Sequence, residues 1–118
     1  MPTSRTDRRP RISESDFQRT VIDIAHWNGW MVVHFPTSKS ARGAHITSTT
    51  RDGKGWPDLI LAHPISGDLL FRELKSETGK VTAEQEAWGR ILTACGQDWA
   101  IWRPSDHAHI AAALQVAR

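Results

Sequence analysis

The chain has 118 residues, 39% hydrophobic and 24% charged, a composition that fits one globular domain with a single core. No apolar run approaches a membrane span and no signal-peptide core follows the N-terminus, so no membrane partner is expected. One cysteine, Cys95, excludes an internal disulfide and a cysteine-built zinc site, and a reducing, cytoplasmic compartment fits best.

The net charge of +2 is unevenly spread. Residues 1–11 hold Arg5, Arg8, Arg9 and Arg11 against Asp7, leaving 11 basic and 12 acidic side chains for the rest. The pI of about 9.1 thus comes from a tail. That tail has Pro, Ser, Thr and Arg without apolar periodicity and reads as disordered, with a single domain over 12–118. Ser13 reads as an N-cap with Asp16 in a box-like position; Phe17, Val21, Ile24 and Ala25 recur at helical spacing, and Gly29 ends the run. Trp30 to Phe35 is β-branched and aromatic, a strand closed by Pro36. Residues 36–55 have little to bury and form a long loop, in which Lys39, Arg42, Arg51 and Lys54 are opposed only by Asp52. Together with Arg8, Arg9 and Arg11 these cations suit phosphate contacts, although a solvated loop and a solubilising tail explain the charge as well.

Pro57 to His63 and Leu69 to Lys75 read as strands, with the turn chemistry of residues 64–68 making them an antiparallel hairpin. Thr82 and Gln85 match a capping box, and Trp88, Ile91, Leu92 and Cys95 form one helical stripe ending at Gly96. Trp99 to Arg103 is a further strand stopped by Pro104, and Ser105 is placed to cap a last helix through Ile110, Ala113, Leu114 and Ala117. The predicted order is α-β-β-β-α-β-α.

Residues two apart in a strand share a face, so Glu73 and Lys75 project together while Leu74 turns to the apolar side. In a hairpin turning near Ser66, Asp58 falls beside Lys75 and within diagonal reach of Glu73. Two carboxylates and the backbone carbonyl of Leu74 make a hard oxygen site suited to Mg²⁺ or Mn²⁺, and the lysine beside them is placed to serve a water or a developing phosphate charge. Glu14 lies three residues before Phe17 and seven before Val21, on the inward stripe of its helix, where a carboxylate needs a partner. A plainer account remains: Asp58 as a turn residue, Lys75–Glu73 as a weak ion pair, Gln85 as a helix cap. None of the six histidines forms an i,i+4 pair of the kind that holds zinc. His34 ends its strand beside the proposed site, Trp56 adjoins it with packing as the simplest role, and Cys95 belongs to an apolar stripe.

The combination of Pro57-Asp58 with Glu73-Leu74-Lys75 resembles the PD-(D/E)xK nuclease signature. More narrowly, Glu14, Gly55-Trp56-Pro57-Asp58-Leu59-Ile60, Gly79 to Gln85 and Trp102-Arg103-Pro104-Ser105-Asp106 resemble stand-alone, phage-type VRR-NUC domains from about residue 13 to the end. The resemblance implies an α/β, restriction-endonuclease-like fold with a mixed central sheet flanked by helices. It also implies a metal-dependent nuclease in which Asp58 and Glu73 bind metal, Lys75 serves the nucleophilic water, Glu14 adds an acidic contact through water, and Gln85 supports the site. Branched DNA such as four-way junctions or flaps, and a homodimer, are the substrate and assembly implied. A binding module that has lost turnover and an RNA-directed nuclease are the alternatives.

Overall fold

The computed structural model describes residues 11–36 and 52–115. Helix α1 (Glu14–Trp27) begins where expected: the Ser13 hydroxyl accepts the Asp16 amide at 3.1 Å, and Glu14 and Asp16 favour the positive end of the helix dipole. Phe17, Val21 and Ala25 are its buried face. The helix stops at Asn28, whose side chain donates to the Ile24 carbonyl, and Gly29 turns the chain away at φ +87°.

Four strands, β1 (Met31–His34), β2 (Leu59–Ala62), β3 (Leu69–Leu74) and β4 (Asp98–Trp102), form one sheet in that order. β1–β2 and β2–β3 are antiparallel and β3–β4 is parallel, with α2 (Ala83–Ala94) as the crossover between the last two. A 3₁₀ turn at Pro104–Asp106 leads into α3 (His107–Leu114). Leu59, Leu61, Leu70, Leu74 and Trp102 meet Phe17, Val21 and Ala25 of α1 and Ile110 and Leu114 of α3 in the core. Trp99 points to the opposite face, where Gly89 lets α2 approach so closely that a Cβ there would lie 2.5 Å from the Trp99 ring.

The element order agrees with the sequence expectation; β1, β2 and β3 are one to three residues shorter than expected, and β4 keeps its length but starts one residue earlier. Four local expectations are corrected. Trp30 is buried ahead of the ladder and not in it; its indole donates to the Leu114 carbonyl and so ties β1 to α3. Ser105 does not cap the last helix: its amide donates to the Glu77 carboxylate, and the turn it occupies precedes α3. On α2 the buried positions are Gly89 and Leu92, whereas Ile91 and Cys95 are exposed, because the close Gly89–Trp99 approach rotates the contact face. The fourth concerns register. The hairpin closes on His63 and Asp68, pairing Leu59 with Arg72, and this carries Asp58 opposite Glu73 rather than beside Lys75.

His63 explains that closure. Its Nδ1 accepts the amides of Ile65 and Ser66, each at 3.2 Å, so the proton sits on Nε2, which donates to the Asn28 carbonyl at 2.9 Å. One buried imidazole thus fixes the turn and fastens it to the end of α1.

Candidate active site

Asp58 and Glu73 are almost wholly buried, at 2% and 1% exposure, although both are acids at the ends of strands. Pro57 precedes Asp58, and the Asp58 carbonyl accepts the Phe35 amide at 2.8 Å, extending the β1–β2 pairing to the site. Asp58 Oδ2 accepts the Leu74 amide at 2.9 Å. Glu73 Oε2 accepts from Gln85 Nε2 at 2.7 Å and lies 3.9 Å from Lys75 Nζ. Glu73 Oε1 has no hydrogen-bond partner among the described residues. A buried carboxylate oxygen left open in this way is costly unless a ligand completes it.

Gln85 does two jobs. Its Oε1 accepts the Thr82 amide at 2.9 Å and its own amide donates to the Thr82 hydroxyl at 3.1 Å, so the capping box forms in full. The remaining amide group reaches Glu73. Capping and contact with the site are therefore one arrangement and not alternatives. Lys75 is only 13% exposed along its side chain, and its backbone amide donates to the Trp102 carbonyl at 3.0 Å, continuing the parallel pairing past Leu74.

Burial, reinforced by the neighbouring Asp58 charge, pushes the Glu73 carboxyl up to about 9, with Lys75 opposing the shift. The Asp58 carboxyl is also raised by burial, and the Leu74 amide bond and the adjoining Glu73 carboxyl hold it down in part. Glu14, half-buried, is near enough for its charge to raise both groups, and His34 near enough to lower Asp58. Yet no three His, Cys, Asp or Glu side chains among the described residues converge tightly enough to chelate an ion on their own. Two carboxylates, one with an open oxygen, are hard donors of the kind that suits a cation keeping several waters.

Of the basic residues singled out, Lys39, Arg42, Arg51, Arg8 and Arg9 lie outside the described residues. Arg11 is exposed, and Lys54 is 3.7 Å from Glu84 on α2. Trp56 is half-buried and packs edge-on against Phe35, Phe71 and Trp88, with ring centroids 6.3, 6.0 and 4.9 Å apart. Two arginines were not picked out by residue type. Arg72 is buried, donates to Asp98 and the Phe71 carbonyl, and covers the Trp102 ring at 4.7 Å; burial lowers its pKa and Asp98 opposes the shift. Arg103 reaches back to the loop after β3. Its signal lay in the Trp102–Asp106 run, where Asp106 Oδ2 accepts the Arg103 amide at 2.9 Å.

No family model matches the sequence, and no curated protein matches it either. Among solved structures, a VRR_NUC domain protein is similar at a TM-score of 0.56 and 18% identity, over 90% of this chain and 88% of that one. The expected resemblance holds at the level of architecture: the chain has the restriction-endonuclease-like fold of a VRR_NUC domain protein.

Proposed function

We propose that this chain is a metal-dependent nuclease that hydrolyses DNA phosphodiester bonds. The observation that carries the reading is the buried Asp58–Glu73 pair with an open Glu73 oxygen beside Lys75. Asp58 and Glu73 would hold Mg²⁺ or Mn²⁺, with the Leu74 carbonyl as a third donor and Glu14 acting through water. The cation would supply Lewis-acid stabilisation of phosphate charge and a more acidic water. Gln85 fixes the Glu73 carboxylate. Lys75 lowers the cost of negative charge at the pair and offers a donor to the scissile phosphate or to the attacking water. The basic tail and the 36–55 segment would grip the backbone without reading sequence.

Branched DNA, such as a four-way junction or flap, is the substrate proposed from the family resemblance, and a homodimer would supply two sites for two strands. The alternative of a binding module without turnover draws support from the two-carboxylate donor set, which is sparse for tight metal binding.

The test is cleavage of linear, nicked, flapped and four-way DNA, and of RNA, with Mg²⁺, Mn²⁺ or EDTA. Asp58→Asn and Lys75→Met are run in parallel, and sedimentation gives the oligomeric state. Loss of cleavage of about 10²-fold or more in each variant is expected from removal of charge stabilisation at the reacting phosphate. Cleavage that survives EDTA or both substitutions would sink the mechanism; tight binding without cleavage in any metal would favour the module.

A further inference from the structure

The connection between β3 and α2 begins with Lys75 and ends at Thr82, the cap to which Gln85 of α2 is bonded, so both its ends adjoin the site. Its middle is held from outside by the segment that follows β4. Arg103 Nη1 donates to the carbonyls of Ser76 and Gly79, each at 2.8 Å, and more weakly to that of Glu77 at 3.3 Å. The Ser105 amide donates to the Glu77 carboxylate at 2.9 Å, and the Trp102 carbonyl accepts the Lys75 amide at 3.0 Å. The loop is thus tied to Trp102 at the end of β4 and to Arg103 and Ser105 just past it. Arg103 is itself fixed by the bond from its amide to Asp106.

We propose that Arg103 is a positioning residue for the Asp58–Glu73 site, holding Lys75 and Gln85 in place through the loop that joins them; this rests on the nuclease reading above. The contact that transmits the constraint is local. A Cβ built on Gly79 would meet the Ser76 hydroxyl at 3.0 Å and Lys75 Cδ at 3.5 Å, so the lysine stem lies against the same turn whose carbonyls Arg103 gathers. Carbonyl dipoles pointing at one spot repel each other without a donor between them. When the guanidinium is removed the turn opens, the Lys75 stem loses its support, and the first turn of α2 shifts with Gln85.

The experiment uses the full chain with ¹⁵N labelling, comparing wild type, Arg103→Met, Arg103→Lys and, as a control, Arg90→Met on the exposed side of α2. In metal-free protein, Arg103→Met is expected to move the Gln85 side-chain amide resonances and to speed amide exchange at residues 75–79 by on the order of tenfold. On DNA, kcat is expected to fall by roughly 10²-fold, as misplacement of a reacting group by about 1 Å would cause, with KM nearly unchanged. Arg103→Lys, which keeps a cationic donor, restores part of both signals, and it carries the same criteria should the methionine variant not fold. Unmoved Gln85 resonances in a folded variant would overturn the proposal. So would a rise in KM at constant kcat, which would make Arg103 a DNA contact instead. If wild type cleaves nothing, the nuclease reading falls, while the amide signals still decide whether Arg103 positions Gln85.

Discussion

Glu73 keeps a proton well into the alkaline range when nothing is bound, and that has a signed consequence for stability. Its folded pKa of about 9 lies above the ordinary value of 4.5. Below 4.5 both folded and unfolded chains bind this proton and the full stability is present. As pH rises toward 9 the unfolded chain releases it first, and stability is lost. In EDTA, the midpoint of thermal unfolding is expected to fall from pH 5 to pH 8.5, by on the order of a few kcal/mol of stability. Glu73→Gln should flatten that slope, and an unchanged slope in the variant would assign the effect elsewhere. Added Mg²⁺ should reverse the trend, since binding requires the ionised carboxylate. At this scale the acids and Lys75 were legible because charge in an apolar strand stands out. Arg103 was not, since a charged residue just past a strand looks like any solvated end until the loop it binds is folded beside it.

The elements position the site through two close approaches that depend on glycine. Gly55 has φ +88°, and a Cβ there would sit 2.5 Å from the Glu84 backbone in the first turn of α2. Gly55→Ala is expected to destabilise the protein by about 2 kcal/mol or more, combining backbone strain with displacement of α2. Gly89→Ala, where the clash is with the Trp99 ring, should cost about 1–3 kcal/mol as overpacking. Urea unfolding measures both; a change below about 0.5 kcal/mol in either would mean that α2 yields easily. Element types and order were readable from periodicity and caps, Ser13 and Thr82 above all. Orientation was not. The α2 stripe predicted Ile91 and Cys95 inward, but the Gly89 contact chose another face, a choice made by Trp99 from a different element. Register likewise escaped, since the predicted turn ignored the two amides that His63 collects.

Across the whole molecule, the buried acids and the densest run of positive charge occupy different parts of the chain. The buried acids belong to the sheet, while Arg5, Arg8 and Arg9 belong to the first ten residues. Deleting residues 1–10 is expected to lower the salt dependence of DNA binding by about 0.9 per lost phosphate contact, up to about 3 in log–log slope. Cleavage at saturating DNA should persist, and loss of kcat instead would place the tail in the site. The hairpin staple at His63 also bears on the order of assembly. β2 and β3 close a short loop, whereas β4 must return by way of α2 at a higher entropic cost. We expect the acids to be brought together early in folding and their supports, Gln85 and Arg103, to arrive late. His63→Ala should then slow refolding, while Arg103→Lys should chiefly hasten unfolding. Stopped-flow chevrons would separate the two, and a His63 variant with an unaltered refolding limb would remove the hairpin from the nucleus. On this account, a chain interrupted midway in folding would already have its two carboxylates side by side, with nothing yet to aim them.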